Sequence, residues 1–577
     1  MSKRLKILLT GIFILGFLLV GRLFELQVLG RHFYKAVANQ RNRITESIPA
    51  ARGKIYVSDG KELRPVSTNI ETYNLIAVPV RITDPSTWLD KLASYIGLEK
   101  AIIENSVIEE TQSGNEVKKI LTQISQKNDF YEILKKDLSI EEVEEIKKLN
   151  LEGLEFEPVF KRYWPEGSLF SHITGFARTE NNQIKGQYGL EEFFNEELAG
   201  EPGKQVSDSG PGGQILARVL NKEPEDGSDL ILTIDPSIQF FVCKTLAEAV
   251  TEHQADGGTI IILEPETSAV IAFCNTPDFD PNQYKEVKNF ETFKNVGVSS
   301  AFELGSVFKI ITMAAALDAG KITPETTYID TGSVTIGGQV IKNAAEKVYG
   351  LRTMTNVLEW SINTGAVFAA KSLGRELFRN YLKKFGFGSL TEIELAGETF
   401  GNIENLEKPQ DIYLATASFG QGISVTPIQM VNAVSAIANQ GRLMKPHLVK
   451  EVVKNGASVP QKPKFIRQVI SPKTATTLTA MMVSVLENGY GKMARVPGYY
   501  VAGKTGTAQV PEAGGGYSTK TIHSFVGFAP ATRPKFAALI KLDNPKNAQF
   551  SESTTAPAFG KIAEFILKYY NVLPDRE

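Results

Sequence analysis

The stretch GSVFKIITMAAALDAG, residues 305–320, decides how this chain is interpreted. From Val307 to Leu317 it is apolar all round a helix, which is typical of a buried helix, and Gly320 suits the helix end. Ser306 and Lys309 are the polar exceptions, and at a spacing of three they lie on one helix face. A lysine buried against a serine would lose its proton and act as its base. The alternative is a helix cap with a lysine that reaches solvent, and this tetrapeptide alone favours it.

Two more short motifs follow in the sequence. Ser361-Ile-Asn363 alone would be interpreted as a capping serine with a turn asparagine. Lys504-Thr505-Gly506-Thr507 follows Tyr499–Ala502, which we predict to be a strand, and alone it would be an edge strand with a glycine bulge. All three motifs in this order, in helix, loop and strand context, are far less probable by chance than any one of them. Their combination favours a nucleophilic serine with a lysine base.

Length and composition exclude several classes of protein. A chain of 577 residues is too long for one hydrophobic core, so we expect at least two domains. With 63 basic and 65 acidic residues the net charge is −2, which disfavours nucleic-acid binding. The 42% hydrophobic and 22% charged fractions argue against wholesale disorder and against a multi-span membrane protein.

Histidines and cysteines are few and far apart. The five histidines and two cysteines offer no metal-ligand spacing, so we expect neither a metal nor another cofactor. Cys243 and Cys274 are expected to be free and buried, because a large domain needs no disulfide to hold it together.

The N-terminus carries an apolar run that is long enough to cross a membrane. Ile7–Gly21 is uncharged, and apolar helical character continues to Leu29. The one candidate cleavage site, Ala36-Val37-Ala38, lies well beyond the run, which favours an uncleaved single-pass anchor at residues 7–29 after a tail of residues 1–6. Basic residues on both sides leave its orientation open by charge alone.

Composition and hydrophobic periodicity divide the rest of the chain into two regions. Residues 46–220 form a mixed, elongated α+β region, with a capping box at Ser139 and Glu142, a strand at Tyr73–Val80 and a glycine-rich loop at Gly200–Gly213. Residues 226–572 form an α/β domain in which strands at both ends flank a helical middle. Its predicted elements are a strand at Leu230–Ile234, a helix from Pro236, a hairpin of Thr259–Leu263 and Ala269–Cys274, strands at Ser524–Phe528 and Phe536–Leu542, and a helix at Pro557–Tyr570.

The three motifs resemble those of the penicillin-binding protein and serine β-lactamase superfamily. More closely, the chain resembles class B penicillin-binding proteins of the division-septum, FtsI-like type. The resemblance covers nearly all of the chain beyond the anchor and also rests on Ala51-Arg-Gly-Lys-Ile55, Arg162-Tyr-Trp-Pro-Glu-Gly167, Gly189-Leu-Glu191, Leu232-Thr-Ile-Asp235, Asp278-Phe-Asp-Pro-Asn282, Ser418-Phe-Gly-Gln-Gly422, Thr426-Pro427 and Ser524-Phe-Val-Gly-Phe-Ala-Pro530.

The resemblance implies a membrane-anchored pedestal, with a penicillin-binding, serine β-lactamase-like domain whose antiparallel sheet is flanked by helices. The N-terminus would be cytoplasmic and the catalytic domain extracytoplasmic. The substrates would be peptidoglycan stem peptides: a D-Ala-D-Ala donor and an amine acceptor. The chain would be a target of β-lactams. A polytopic septal glycan polymerase and other division proteins would be its partners.

The resemblance also assigns roles in acylation. Ser306 would attack the carbonyl of the penultimate D-Ala and expel the terminal D-Ala, with Lys309 as the neutral general base. Ser361 would relay the proton to the leaving amine. Asn363 would hold Lys309 and the substrate amide by hydrogen bonds.

Substrate binding would fall to the third motif. Lys504 would attract the substrate carboxylate, with the hydroxyls of Thr505 and Thr507 donating to it. Gly506 would leave room for the substrate backbone. The backbone N–H groups of Ser306 and Thr507 would form the oxyanion hole.

The sequence departs from the family pattern at three places and leaves alternatives open. Leu304 stands where relatives usually have proline, and residues 57–60 and 488–491 differ from the usual loops. A serine β-lactamase would be a compact single domain without a pedestal. A bifunctional penicillin-binding protein would carry a glycosyltransferase signature, which the sequence lacks. An elongation-specific transpeptidase and a sensor or scaffold without turnover stay open beside the septal enzyme.

Overall fold

The computed structural model describes residues 3–31, 43–48, 50–60, 62–98, 112–126, 129, 131–180, 183–209, 215–512 and 514–576. The chain divides into two compact units. One consists of residues 1–52 with 199–227, and the other of residues 53–198 with 228–577.

The first unit contains the apolar N-terminal helix. An α-helix, Lys3–Phe24, continues as one π-helical turn, Glu25–Leu29, and together they are long and apolar enough to cross a membrane. Arg22 and Glu25 form an ion pair with an N–O distance of 2.6 Å. The candidate cleavage site Ala36-Val37-Ala38 lies outside the described residues.

A three-stranded antiparallel sheet completes the first unit, in the order Arg43–Ile48, Gly203–Ser209, Ile215–Lys222. The prediction of a loop over Gly200–Gly213 is therefore wrong for Gly203–Ser209. The strand Gly203–Ser209 has a hydrogen-bonded neighbour on each side, and these two ladders override the low strand propensity of its glycine, lysine and aspartate residues. Residues 210–213 lie outside the described residues.

The second unit contains a seven-stranded sheet built largely from the region before the three motifs. The strand Leu63–Ala77 is its longest member and covers most of the predicted strand Tyr73–Val80. The predicted strand near Leu230 is present, and it pairs in this sheet, with Ile55–Ser58 and Val449–Lys454, rather than with the strands near the C-terminus. The order is Ala457–Pro460, Val449–Lys454, Asp229–Leu232, Ile55–Ser58, Leu63–Ala77, Glu132–Leu138, and Leu154–Tyr163 pairs with Leu63–Ala77.

Helices and one buried ion pair support this sheet. The predicted capping box is confirmed, since Ser139 and Glu142 exchange side-chain hydrogen bonds at the start of the helix Ile140–Lys147. Arg162 Nε donates to Glu191 Oε1 at 2.7 Å, and both side chains are buried. The other helices and strands before residue 203 are Pro79–Arg81, Pro85–Leu92, Ala93–Tyr95, Gln112–Ile124, Gly167–Phe170, Ser171–Thr174, Phe176–Glu180, Gln183–Gln187, Gly189–Phe193 and Asn195–Ala199.

A five-stranded antiparallel sheet lies at the centre of the later region. Its order is Val270–Thr276, Gly257–Leu263, Phe536–Asp543, Tyr517–Ala529, Ala502–Pro511. The hairpin prediction and the prediction that both ends of the domain complete one sheet are confirmed. Every residue of Gly257–Leu263 is buried, so both faces of the sheet are covered.

The strand Ala502–Pro511 is an edge strand. The predicted strand Tyr499–Ala502 begins too early, because the chain turns at Gly498, where φ is +82°, and Tyr500 N–H binds Asp575 Oδ1 at 2.8 Å. The strand starts at Ala502, so the third motif lies within the strand rather than after it.

Two helices pack together against this sheet. The helix Pro236–Glu252 and the C-terminal helix Thr555–Tyr569 meet through Phe241 and Phe565, whose rings stack with centroids 4.0 Å apart. Phe559 of the C-terminal helix contacts Phe525 of the sheet, with centroids 4.6 Å apart. The terminal helix starts two residues before its prediction and ends one residue before it.

The prediction that Cys243 and Cys274 are free is wrong, because they form a disulfide with Cα atoms 5.3 Å apart. Cys243 lies on the helix Pro236–Glu252 and Cys274 on the strand Val270–Thr276. The side-chain amide of Gln239 accepts from Phe273 N–H and donates to Phe273 O. These two hydrogen bonds hold the helix of Cys243 against the strand of Cys274. A sequence separation of 31 gives no sign of this packing.

The helical middle lies between residues 281 and 488. The helix Lys309–Asp318 is buried from Lys309 to Ala316, as its apolar sequence predicts. The remaining elements are Pro281–Glu286, Phe290–Phe293, Val296–Ser299, Gly305–Phe308, Thr327–Asp330, Ser333–Ile336, Gln339–Lys342, Ala344–Glu346, Gly350–Thr353, Met354–Glu359, Asn363–Leu373, Arg375–Lys384, Glu404–Glu407, Asp411–Ala417, Pro427–Ala438, Arg442–Met444, Phe465–Gln468, Pro472–Asn488, Lys492–Ala494 and Ser551–Ser553.

Candidate active site

Ser306 lies on a 3-10 turn, Gly305–Phe308, that leads into the helix Lys309–Asp318. Gly305 has a φ of +57°, and a Cβ atom there would lie 2.9 Å from the carbonyl oxygen of Thr507. Its N–H donates to Gly420 O at 3.1 Å. Glycine therefore lets the serine turn approach the edge strand Ala502–Pro511 closely.

Leu304 departs from the family pattern without changing the backbone. Its φ is −73°, close to the value that proline would impose, and its side chain is buried. The turn that carries Ser306 therefore keeps the geometry that a proline would favour.

Lys309 is fully buried and has four hydrogen-bond partners. Its Nζ lies 2.6 Å from Ser361 O and 2.7 Å from Asn363 Oδ1, and slightly farther from two hydroxyls, 3.1 Å from Ser306 Oγ and 3.2 Å from Ser361 Oγ. Burial lowers the pKa of Lys309 well below its ordinary value, and the positive charge of Lys504 lowers it further. Both causes favour the neutral amine.

The partners of Lys309 show what the neutral amine can do. It has two N–H groups and one lone pair, and the oxygens of Ser361 O and Asn363 Oδ1 can only accept hydrogen bonds. These two nearest partners take the two N–H groups. The lone pair is then left for a hydroxyl proton, and Ser306 Oγ is one of the two hydroxyls in reach.

Ser361 is held in the left-handed region, with φ of +55°. This conformation is costly for a residue with a side chain and is frequent at functional sites. It ends the helix Met354–Glu359 and places both the carbonyl oxygen and the hydroxyl of Ser361 within hydrogen-bond distance of Lys309 Nζ.

Asn363 begins the next helix, Asn363–Leu373, and is oriented by its neighbours. Its Nδ2 donates to Lys342 O at 2.8 Å, which directs Oδ1 towards Lys309. Asn343 Oδ1 accepts from the backbone N–H groups of Asn363 and Thr364, at 3.1 and 3.2 Å, and so caps this helix from a distant part of the chain.

Asp330 anchors this remote cap. Its carboxylate accepts two hydrogen bonds from Asn343 Nδ2, at 2.9 and 3.0 Å, and one from the Thr364 hydroxyl at 2.5 Å. Although burial opposes ionisation, these hydrogen bonds, with those from backbone N–H groups, lower the pKa of Asp330. The carboxylate is thus a charged centre that fixes Asn343 and, through it, Asn363.

Lys504 is fully buried on the edge strand, and its Nζ donates to Thr505 O at 2.9 Å. Burial lowers the pKa of Lys504 to about 7, against the opposing effect of the Glu552 carboxylate. At neutral pH the side chain is therefore close to the midpoint of its titration.

The other residues of the third motif have neighbours that the sequence does not reveal. Thr507 Oγ1 accepts from Ser551 N–H at 3.1 Å and lies 3.3 Å from Ser551 Oγ. Thr505 is buried. A Cβ atom on Gly506 would lie 2.7 Å from Val307 Cγ1 and 3.0 Å from Val307 N, so the lack of a side chain lets the strand pack against the serine turn.

The structure brings the predicted residues together around Lys309. Ser306, Ser361 and Asn363 contact its amine directly, and Lys504 is close enough for its charge to lower the pKa of that amine. Sequence reasoning missed four residues outside the motifs: Asp330, Asn343, Ser551 and Glu552. Their only signal is their position in the fold.

Comparison with known proteins places this site in a family. Residues 258–564 match the penicillin-binding protein transpeptidase domain, and residues 47–232 match the penicillin-binding protein dimerisation domain. A structure of penicillin-binding protein 3 from Mycobacterium tuberculosis, complexed with ampicillin, is 26% identical with a TM-score of 0.70 and covers 92% of this chain and 98% of its own.

Two curated relatives are similar over most of their length. Stage V sporulation protein D of Bacillus subtilis is 33% identical over 91% of this chain and 79% of its own. The peptidoglycan D,D-transpeptidase FtsI of Buchnera aphidicola is 31% identical over 100% of this chain and 96% of its own. The chain therefore belongs to the penicillin-binding protein transpeptidase family. Its resemblance to the class B, FtsI-like members is confirmed.

Proposed function

We propose that this protein is a peptidoglycan D,D-transpeptidase that cross-links stem peptides through an acyl-enzyme on Ser306. The observation that carries the proposal is the position of the fully buried Lys309 Nζ, 3.1 Å from Ser306 Oγ, in surroundings that lower the pKa of the amine. The name of the FtsI relative from Buchnera aphidicola supports the reaction, and the ampicillin complex of the mycobacterial relative supports binding of β-lactams.

Acylation follows from these positions. Lys309 accepts the hydroxyl proton as Ser306 Oγ attacks the penultimate D-Ala carbonyl, and an ester bond forms as the C–N bond breaks. The proton passes to the leaving amine through Ser361 Oγ, which lies 3.2 Å from Lys309 Nζ. D-Alanine leaves, and the amine of a second stem peptide then attacks the ester, forms the new amide and returns the proton to Ser306.

The edge strand would align the donor peptide. We place the peptide's terminal carboxylate at Lys504, with the hydroxyls of Thr505 and Thr507 as further donors, and its scissile carbonyl between the N–H groups of Ser306 and Thr507. Thr507 would then redirect its hydroxyl hydrogen from Ser551 Oγ to the carboxylate. A strand edge without a neighbouring strand on one side suits an extended peptide backbone.

Release of D-alanine tests the reaction. Full-length protein in detergent, incubated with a D-Ala-D-Ala peptide and a free amine, should release D-alanine and form the transferred product. It should also be labelled by a fluorescent penicillin, and Ser306→Ala should lose both. Label on Ser306→Ala would refute the acyl-enzyme at this serine. Label without transfer on the unaltered protein would indicate the sensor or scaffold instead.

We propose a septal role, with the elongation-specific role as the second candidate. The similarity to FtsI of Buchnera aphidicola favours the septum. Depletion followed by microscopy separates the two, since filaments would support division and round cells would support elongation.

The anchor and domains belong to the same proposal. We place the membrane anchor at residues 7–29, the pedestal at 46–220 and the transpeptidase domain at 226–572, with Met1 cytoplasmic and the catalytic domain outside. The Cys243–Cys274 disulfide supports this orientation, because disulfides persist in oxidising compartments.

We place a polytopic glycan polymerase against the anchor helix, and other division proteins on the pedestal. Exchange of residues 7–29 for an unrelated spanning helix should reduce co-purification of the polymerase. Full recovery of the complex would refute the contact through the helix.

The pKa of Lys504 predicts how substrate binding depends on pH. Below pH 7 the amine is charged and attracts the substrate carboxylate, whereas above pH 7 the free protein carries an increasing neutral fraction. Binding of a D-Ala-D-Ala peptide to Ser306→Ala should therefore weaken about tenfold from pH 6 to pH 8, by titration calorimetry. On the same background, Lys504→Arg stays charged and should remove the dependence. A drop that persists in it would assign the titration to another group.

The remote cap gives a second prediction. Asn343→Ala should lower the free energy of unfolding by about 1 to 3 kcal/mol, because it removes two of the hydrogen bonds to the Asp330 carboxylate and leaves two backbone N–H groups without a buried partner. Penicillin acylation should also slow, because Asn363 loses its support. Asn547→Ala, at an exposed asparagine, is the control and should change neither. Unchanged melting and acylation in Asn343→Ala would contradict the role of the cap.

A further inference from the structure

A cavity of about 290 Å³ lies next to the serine turn and contains none of the residues placed so far in the reaction. Its walls come from the segment just before Ser306, from two loops of the helical middle and from the end of the edge strand. The residues that matter most are Glu303, Asn402, Asn405, Ser424 and Pro511. Its volume suits one side chain better than a whole ligand.

Glu303 brings a carboxylate to this cavity. Its Oε1 accepts from Gly422 N–H at 2.9 Å, and its Oε2 accepts from the Tyr517 hydroxyl at 3.0 Å. Each oxygen keeps a further lone pair. Within the described parts of the chain, no basic side chain lies within ion-pair distance of Glu303. Its carboxylate is half-buried, and burial raises its pKa, so a cation in the cavity would restore a favourable charge balance.

Lys408 contacts the wall residue Asn405 but points away from Glu303. Lys408 Nζ donates to Asn405 Oδ1 at 2.7 Å and lies over the Tyr413 ring, 4.9 Å from its centroid. It is not part of the cavity wall. The charged group of the wall is thus the carboxylate of Glu303.

The direction of the edge strand indicates which part of the donor peptide would lie near the cavity. With the donor's carboxylate at Lys504 and its scissile carbonyl at Thr507, the residues before D-Ala-D-Ala continue past Ala508 towards Pro511. Pro511 is a wall of the cavity. The side chain of the residue directly before D-Ala-D-Ala would therefore extend along the edge strand towards the cavity.

Cross-linking requires an amine on the stem peptide, and donor and acceptor strands carry the same side chain. We infer that the Glu303 cavity binds the ammonium group of the donor's own diamino side chain, next to D-Ala-D-Ala. This inference rests on the proposed transpeptidase function. It makes Glu303 a specificity-determining residue for the donor, separate from the residues that carry out acylation.

Single-turnover acylation without an acceptor amine tests the donor alone. The probes are acyl-X-D-Ala-D-Ala peptides in which X is lysine, N-acetyl-lysine or norleucine, and the readout is release of D-alanine from the full-length protein. We expect kcat/KM for the lysine donor to exceed both others about tenfold, as one charge-assisted hydrogen bond would give. In Glu303→Gln the ratio should fall to within about twofold.

Glu398→Gln is the matched control. Glu398 is also a largely buried carboxylate with a raised pKa, held by Thr391, and it does not line the cavity. The ratio between lysine and norleucine donors should be the same in it as in the unaltered protein.

Several outcomes would overturn the inference. Equal rates for the three donors on the unaltered protein would overturn it. This measurement does not depend on whether Glu303→Gln folds. A Glu303→Gln variant that slows all donors equally and keeps the ratio would indicate a structural role through Gly422 and Tyr517. Discrimination that appears only when the acceptor amine is varied would assign the cavity to the acceptor. In each case D-alanine is still released, so the proposed function stands; no release from any donor would refute that function itself.

Discussion

Lys309→Met should slow acylation of Ser306 by on the order of 10³-fold, the usual contribution of a positioned general base. Methionine keeps the length and apolar body of the side chain but has no lone pair to take the serine proton. Because the site is fully buried, the apolar replacement should fold normally. The measurement is the second-order rate of labelling by a fluorescent penicillin, with near-UV circular dichroism as the check on folding.

The pH dependence of the same reaction gives an independent check. Lowering the pH protonates Lys309, which removes the lone pair, so the acylation rate of the unaltered protein should fall as the pH is lowered through the depressed pKa of this lysine. Lys309→Met should lose that limb of the profile. A variant that keeps the limb, or that reacts at more than a tenth of the normal rate, would mean that another group is the base.

Glu191→Ala should cost about 3 to 5 kcal/mol of unfolding free energy, because it leaves the Arg162 guanidinium buried and without its carboxylate. The two side chains are 2% and 0% exposed, and Glu191 also accepts from the Ser67 hydroxyl at 2.9 Å. Urea unfolding of the full chain in detergent measures the loss.

Two further variants sharpen this second prediction. The double variant Arg162→Met with Glu191→Leu should recover most of the loss, because no unpaired charge remains. Lys161→Ala is the surface control: its ion pair with Asp137 is 48% exposed on both sides and should contribute less than about 1 kcal/mol. If Glu191→Ala lost no more stability than this control, the buried pair would contribute no more to the free energy of unfolding than a surface ion pair does.

The sequence predicted elements whose patterns are local. The apolar run after Lys309 is the clearest case, since a helix with no polar face must be buried wherever it lies. The capping box at Ser139 is equally local. The strand hairpin Thr259–Cys274 and the sheet built from both ends of the domain also followed from apolar runs and turn residues.

Features that depend on contacts between distant parts of the chain could not be predicted from the sequence. The disulfide needs the helix of Cys243 to lie on the strand of Cys274, and the strand Gly203–Ser209 is held by neighbours on both sides. At the candidate site, motif spacing pointed to Ser306 and Lys309, but Asp330 and Asn343 form no motif. Their role as a cap emerges only when the loop before Gly350 folds onto the helix Asn363–Leu373.

The strand order of the five-stranded sheet sets a condition on biosynthesis. The hairpin of Gly257–Leu263 and Val270–Thr276 is made early, yet its remaining edge pairs with Phe536–Asp543, which leaves the ribosome more than 250 residues later. Lys504 can take its place beside Lys309 only after that late strand has closed the sheet. The full-length chain is therefore the first form in which the site around Ser306 is complete, and we expect a chain that ends before this strand to be unreactive and to expose an unpaired apolar strand edge.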